Sequence, residues 1–196
     1  MYTFIEVLRM TERKLRKLIL GSVPFETDRL IVRYIGDNDV YDMYEYASVP
    51  EVSKYLLWEP HVNIAATEGY IESLQKRYYR GLYADWAIEL KNEKKMIGTI
   101  GYANINSKEK SCEIGYVLSP KYRKQGYMSE ALSALLQITF ESLKFDKAIL
   151  RIIDENSDSV KLAEKMGFTV ETSIEIPIKG QLKNVLYYTK TMFSLH

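Results

Sequence analysis

Histidine and cysteine are almost absent from this chain, and their scarcity removes several chemistries at once. The single cysteine, Cys112, allows no intramolecular disulfide and no thiolate metal cluster. His61 and His196 are the only histidines, so a multi-histidine metal site and a histidine-based nucleophilic triad are both disfavoured, and no metal is expected. Cys112 opens an apolar stretch with no adjacent histidine to activate it, so it reads as a small buried hydrophobe. A charge excess is missing too. Lys plus Arg number 27 against 26 Asp plus Glu, a net charge of +1, which lacks the basic surplus of a general nucleic-acid surface. No apolar run approaches a membrane span, and the N-terminus lacks the basic-then-apolar order of a signal peptide, so the cytoplasm is the expected compartment. The five prolines and ten glycines form no linker, and no repeat or low-complexity tract is present.

What is there reads as one soluble domain of 196 residues, long enough to bury a sizeable core. Sixteen tyrosines are many, and most are expected at the core edge with wetted hydroxyls. Residues 1 to 22 stand apart. Phe4, Val7, Leu8, Leu15, Leu18 and Ile19 form an apolar stripe on a mostly basic helix that Gly21 and Pro24 stop. The division expected is 1–25, an N-terminal amphipathic helical extension, and 26–196, the main domain. The stripe argues for packing on that domain or on a second copy of the chain, which makes a homodimer a candidate assembly and a bilayer the weaker alternative.

The remainder alternates strands and helices. Strands are predicted at 30–35, 86–91, 96–104, 111–118, 147–153, 168–176 and 185–193. Helices are predicted at 39–47, capped by Asp37 or Asn38, at 64–80 between Asn63 and Gly81, at 128–143, and at 158–166 before Gly167. The class is α/β, with a mixed, mostly antiparallel central sheet flanked by helices.

The most informative segment runs from Glu113 to Ala131. A strand ends at Ser119 and Pro120, a basic loop with Arg123, Lys124 and Gly126 follows, and a helical pattern begins at Tyr127. Unpartnered N–H groups at a helix start, a permissive glycine and two cations suit a phosphate or pyrophosphate. A Walker-type loop is absent, and so is a G-x-G-x-x-G dinucleotide loop. An ordinary strand-to-helix turn with a solvated basic loop remains the plain alternative.

Five segments, in order, decide between them. Thr27 to Arg33 is similar to T-x-R-L-x-L-R. Trp86 to Leu90 and Ile97 to Gly101 look like a central hairpin. Glu113 to Ala131 resembles E-I-G-Y-x-L-x-P-x-Y-x-x-x-G-Y-A-x-E-A. Asn156 to Ser159, with Glu164 to Phe168, resembles N-x-x-S…E-K-x-G-F. The pattern, over about residues 26 to 193, resembles the GNAT acetyltransferases, and within them the RimJ/RimL branch that acetylates ribosomal-protein N-termini. One departure is Met128, where the family loop has Gly or Ala.

The resemblance implies a GNAT fold and acetyl-CoA as acetyl donor to a primary amine, most simply a protein N-terminal α-amine. A small amine (polyamine, amino acid or antibiotic) is the alternative acceptor, and a non-catalytic acyl-CoA-binding module the alternative class. It implies that the strand holding Tyr116, Val117 and Leu118 splays from its neighbour and offers its backbone to pantetheine and the thioester carbonyl. Arg123, Lys124, Gln125, Gly126, Tyr127 and Met128 would cradle the pyrophosphate. Asn156 would bond the pantetheine arm, and Ser159 would sit near the leaving sulfur, although both residues also suit a helix cap. The tyrosine acid that many relatives carry is replaced by the run Leu162, Ala163, Glu164. Glu113 is the first candidate base and Glu89 the second, since an acid within a strand calls for a reason. The acceptor would be read by the helices between Asp37 and Gly81 and by a late loop at Pro177 to Lys183.

Overall fold

The alternating apolar residues of this chain assemble one eight-stranded sheet with helices on both faces. The structure is a computed structural model and describes residues 12–82 and 85–192. The strands are β1 (Phe25–Glu26), β2 (Leu30–Arg33), β3 (Asp85–Leu90), β4 (Lys95–Asn106), β5 (Ser111–Leu118), β6 (Lys147–Ile153), β7 (Thr169–Ile178) and β8 (Gln181–Thr191). Their order across the sheet is β1-β2-β3-β4-β5-β6-β8-β7. Every neighbouring pair is antiparallel except β5 and β6, which are parallel.

Strand periodicity sends alternate side chains to opposite faces. Leu30, Val32, Trp86, Ile88, Ile100, Tyr102 and Ile114 enter the larger core. Helix α5 (Tyr127–Gln137) closes it with Met128, Ala131, Leu132, Leu135 and Leu136. Ala87 and Met96 enter a smaller core on the other face, under α2 (Val40–Ala47), α3 (Pro50–Ser53) and α4 (Ile64–Tyr79). Asn63 caps α4 by accepting from the Ala66 N–H at 2.9 Å, as its sequence predicts.

Helix α1 (Glu12–Gly21) packs on its own domain: Leu15 and Ile19 are buried in the larger core together with Val23. Phe4, Val7 and Leu8 of the predicted stripe lie outside the described residues, as does Phe193, the end of the predicted last strand. Among the described residues, no helix is long and apolar enough to cross a membrane.

Three local expectations need correction. The helix predicted to run to Leu143 changes pitch after Gln137, and Ile138–Ser142 is a π-helical turn. Buried Thr139 accompanies it, donating to the Leu135 carbonyl at 2.7 Å and meeting the Tyr102 hydroxyl at 2.7 Å. The predicted loop at Pro177 to Lys183 is the tip of the β7–β8 hairpin, which turns at Lys179 and Gly180 with φ of 49° and 74°. Neither Asp37 nor Asn38 caps α2. Asp39 stands at its head and turns its carboxylate back to the Gly36 N–H and the Arg33 guanidinium.

Candidate functional site

Parallel strands β5 and β6 share three rungs, Ser111 with Lys147, Cys112 with Ala148 and Glu113 with Ile149, and then part. β5 stays on β4 as far as Leu118 opposite Gly98, while β6 follows β8. Among the described residues, the backbone groups of Ile114 to Leu118 that point away from β4 therefore have no strand partner, and a wedge opens between the two strands. Buried backbone groups need partners, and an extended polar ligand is one kind of group that could supply them. β5 and β6 run into α5 and α6 (Ser157–Lys165), so two helix N-termini face the same mouth.

The loop at that mouth is basic and bends through left-handed residues. Pro120–Tyr122 makes a single 3-10 turn, then Lys124 and Gly126 take left-handed conformations with φ of 60° and 85°. Gly126 is the residue before the first turn of α5. A Cβ there would stand 3.3 Å from Arg29 Nη2. Arg29 reaches the loop from the first strands. It donates to the Gln125 carbonyl at 3.0 Å, lies 4.4 Å over the Tyr127 ring, and pairs with Glu130 at 2.7 Å. Thr27 Oγ1 and the Arg29 N–H also donate to Glu130, at 2.5 and 2.9 Å. Burial pushes the Glu130 carboxyl up, but these hydrogen bonds outweigh it and hold the group below its ordinary value. Arg123 spans Glu51, at 2.6 Å, and the Leu118 carbonyl. Lys121 pairs with Glu45. Lys124 makes no ion pair among the described residues. Met128 is buried in the larger core, so its side chain leaves the anion side of the loop clear.

Inside the wedge, Tyr116 packs against the larger core. Its hydroxyl is buried without a well-formed hydrogen bond among the described residues. Burial pushes this phenol up to about 12, and the Ser159 hydroxyl beside it pulls the other way. Asn156 caps α6 by accepting from the Ser159 N–H at 3.4 Å. The capping side chain is thus Asn156, and the Ser159 hydroxyl is left for the wedge.

Val117 points to the opposite face, into a cavity of about 60 Å³ lined by Met43, Tyr46, Trp58, His61, Tyr70, Asp85 and Thr99 among others. One water needs roughly 10–15 Å³ on this measure, so a small head group fits. The Tyr70 hydroxyl donates to Asp85 Oδ2 at 3.0 Å, and the Tyr78 hydroxyl donates to the Asp85 carbonyl. Burial raises the Asp85 carboxyl above its ordinary value, against the pull of Tyr70 and Arg77. His61 Nδ1 lies 2.8 Å from Thr67 Oγ1, and burial lowers its pKa.

The two acids chosen from sequence are already engaged. Glu113 shares the last rung before the wedge and pairs with Arg151 at 2.7 Å. Glu89 is held at 2.6 Å by Arg33, which also binds Asp39. Sequence reasoning missed Asp85, Thr27, Arg29 and Glu130 as site residues. The signal for Asp85 is its place at the head of an apolar strand, where alternation puts it on the face of Ala87 and not of Trp86.

Residues 29–169 match the family model described as an acetyltransferase (GNAT) domain. The chain is 30% identical over 168 residues to YoaA, an uncharacterized N-acetyltransferase of Bacillus subtilis, covering 86% of this chain and 90% of the relative. It is 24% identical to the [ribosomal protein uS5]-alanine N-acetyltransferase of Escherichia coli, over 76% of this chain and 80% of that protein. It is also 24% identical to the spermidine N(1)-acetyltransferase of Escherichia coli, over 79% and 82%. Among solved structures, a GNAT-family acetyltransferase from Bacillus anthracis matches with a TM-score of 0.78 and 26% identity, covering 87% of this chain and 99% of that one.

Proposed function

The chain belongs to the GNAT acetyltransferase family, and from that premise we propose that it moves an acetyl group from acetyl-CoA to the α-amine of a protein N-terminus. The observation that carries the donor side is the β5–β6 wedge with a helix N-terminus and a left-handed, basic loop at its mouth. Tyr116, Val117 and Leu118 offer the backbone of β5 to the pantetheine arm. Arg123, Lys124, Gln125, Gly126, Tyr127 and Met128 offer the loop and first-turn N–H groups to the pyrophosphate. Arg29 holds that loop in shape and adds a cation beside it. Asn156 fixes the start of α6, and Ser159, beside Tyr116, is the hydroxyl set to hydrogen-bond the leaving sulfur. Bound acetyl-CoA supplies an activated acyl carbon on a thiol leaving group. β5 backbone donors aimed at its carbonyl oxygen contribute several kcal/mol to such a reaction.

The acceptor reading rests on amine chemistry. An α-amine with a pKa of about 8 is roughly a tenth neutral at pH 7, whereas a lysine at about 10.4 is under a thousandth neutral. A site with no histidine pair and few free carboxylates suits the first better. Thiol release from acetyl-CoA, followed with peptides bearing N-terminal Ala or Ser and with spermidine, tests the assignment. The peptides are expected to give kcat/KM at least tenfold above spermidine. The reverse preference assigns the chain to small amines, and no turnover with any amine ends the enzymatic reading.

A further inference from the structure

We propose that the cavity bounded by Tyr46, Trp58, His61, Tyr70 and Asp85 seats the acceptor as a single ammonium on a short uncharged stem, and that Asp85 takes its proton. The inference rests on the acetyl-transfer reading and names a residue and an acceptor class for it.

The geometry is set by strand register. Asp85 lies opposite Gly101 on β4, and Gly101 lies opposite Gly115 on β5. All three share the face under α2 and α4. Two glycines in succession leave no side chain between Asp85 and the edge of β5, where the wedge opens. Neighbouring strands lie about 4.8 Å apart, so this lane is about 10 Å long. An amine nitrogen hydrogen-bonded to Asp85 fills its near end, and the amine's stem and the acyl group share the rest. In the adjacent row, Ala87, Thr99 and Val117 form the floor. The lane thus joins the cavity to the backbone groups left unpaired in β5.

The lining chooses the charge. Among the described residues that line the cavity, Asp85 is the only acidic one. Tyr46, Trp58, His61 and Tyr70 line it with aromatic rings, which suit a cation and exclude water. A polyamine carries further cations several ångströms along its chain, and each would need its own counter-charge. One carboxylate with an aromatic wall instead fits one ammonium. The groups facing Asp85 are Tyr70, Arg77 and Tyr78 from α4, Tyr46 from α2, and His61 from the segment before α4. Tyr70 holds one carboxylate oxygen, Oδ2, and Oδ1 is the oxygen assigned to the amine.

The step balances. An ammonium gives one proton to the Asp85 carboxylate, which becomes a neutral carboxylic acid, and leaves a neutral amine with its lone pair free. As that nitrogen bonds the acyl carbon, the carbon–sulfur bond breaks. The second proton lost from nitrogen leaves with the thiol.

Calorimetry with an alanyl peptide amide and its pre-acetylated form, on wild type and Asp85→Asn, tests the seat without turnover. The free-amine peptide is expected to bind the variant at least tenfold more weakly, and the acetylated peptide to bind neither protein measurably. In thiol-release assays with acetyl-CoA, kcat/KM of Asp85→Asn is expected to fall at least a hundredfold, with KM for acetyl-CoA unchanged. Tyr70→Phe removes one donor to Asp85 and should move the acidic limb of the kcat/KM profile to higher pH, an effect that mere loosening of the fold does not produce. Equal peptide affinity in wild type and Asp85→Asn overturns the seat. A larger loss of rate in Glu113→Gln or His61→Gln than in Asp85→Asn overturns the proton assignment. If wild type binds the peptide through Asp85 but turns over no amine, the acetyl-transfer reading fails while the ammonium seat stands.

Discussion

The two faces of the central sheet are packed for different ends. The face under α1 and α5 is mostly hydrocarbon: Leu30, Trp86, Ile100, Leu132 and Leu135 are fully buried, and of its buried hydroxyls Tyr102 and Thr139 bond each other while Tyr116 lies beside Ser159. The face under α2 and α4 has a smaller apolar cluster, and around it sit Asp39, Arg33, Glu89, Asp85, Tyr46, Tyr70 and His61. The first face therefore sets shape, and its stability follows volume. The second holds desolvated charge whose stability follows pairing, and there carboxyl, phenol and imidazole groups are pushed from their ordinary values. A single sheet thus separates an apolar scaffold behind the Arg123–Gly126 loop from the polar face on which the acceptor is proposed to sit.

The largest expected effect comes from unpairing the second face. Arg33→Met leaves Asp39 buried and Glu89 without its cation, and should cost about 3–5 kcal/mol in urea unfolding. A loss under about 1 kcal/mol would mean that water replaces the guanidinium and that this face is wetter than the contrast requires. Leu132→Ala on the first face should cost about 2–5 kcal/mol, while the volume-conserving Leu132→Met costs less than about 1.5. Equal costs for both would erase the claim that volume governs there.

Gly126→Asp comes next. It adds a strained side chain and a negative charge at φ 85°, and should weaken CoA binding by at least about tenfold, or 1.4 kcal/mol, in calorimetry with the circular dichroism unchanged. Unchanged affinity would reduce the loop to a plain turn. The smallest effect has the opposite sign. Asp85 has a raised folded-state pKa, so its stabilising contribution is complete below the unfolded value and is lost as pH rises through the folded one. At pH 7 its charge costs stability, and Asp85→Asn should raise Tm by on the order of 2 °C, the gain vanishing below about pH 4. A lower Tm at pH 7 would make Asp85 a structural anchor and blur the contrast between the faces.

Much of the architecture was legible because strands with one buried face alternate. The runs at Leu30, Trp86, Ile97, Cys112 and Ala148 all fell in strands, and Asn63 and Gly81 bracketed α4. The β7–β8 hairpin was not legible at its tip, because Pro177 reads as a break. β7 is the sheet's edge strand, where a proline's missing N–H can be tolerated, so the strand runs on to Ile178. The π turn was hidden because its residues keep a helical apolar spacing. At the site, the loop was readable as local chemistry. Met128, the departure from the family loop, turns into the core at the start of α5. Asp85 was passed over because a carboxylate's role depends on what lies two strands away, and register is not visible along one strand.

The clasp of Thr27 and Arg29 on Glu130 also bears on how the protein is made. The partners stand 103 and 101 residues apart in sequence. At roughly 5–20 residues per second, a ribosome needs about 5–20 s to add that much chain. The first half of the clasp thus waits on a nascent segment before its carboxylate exists, and the anion loop takes its shape late in synthesis. A ribosome stalled before Glu130 would hold a chain with five of its eight strands and without the carboxylate that clasps the loop.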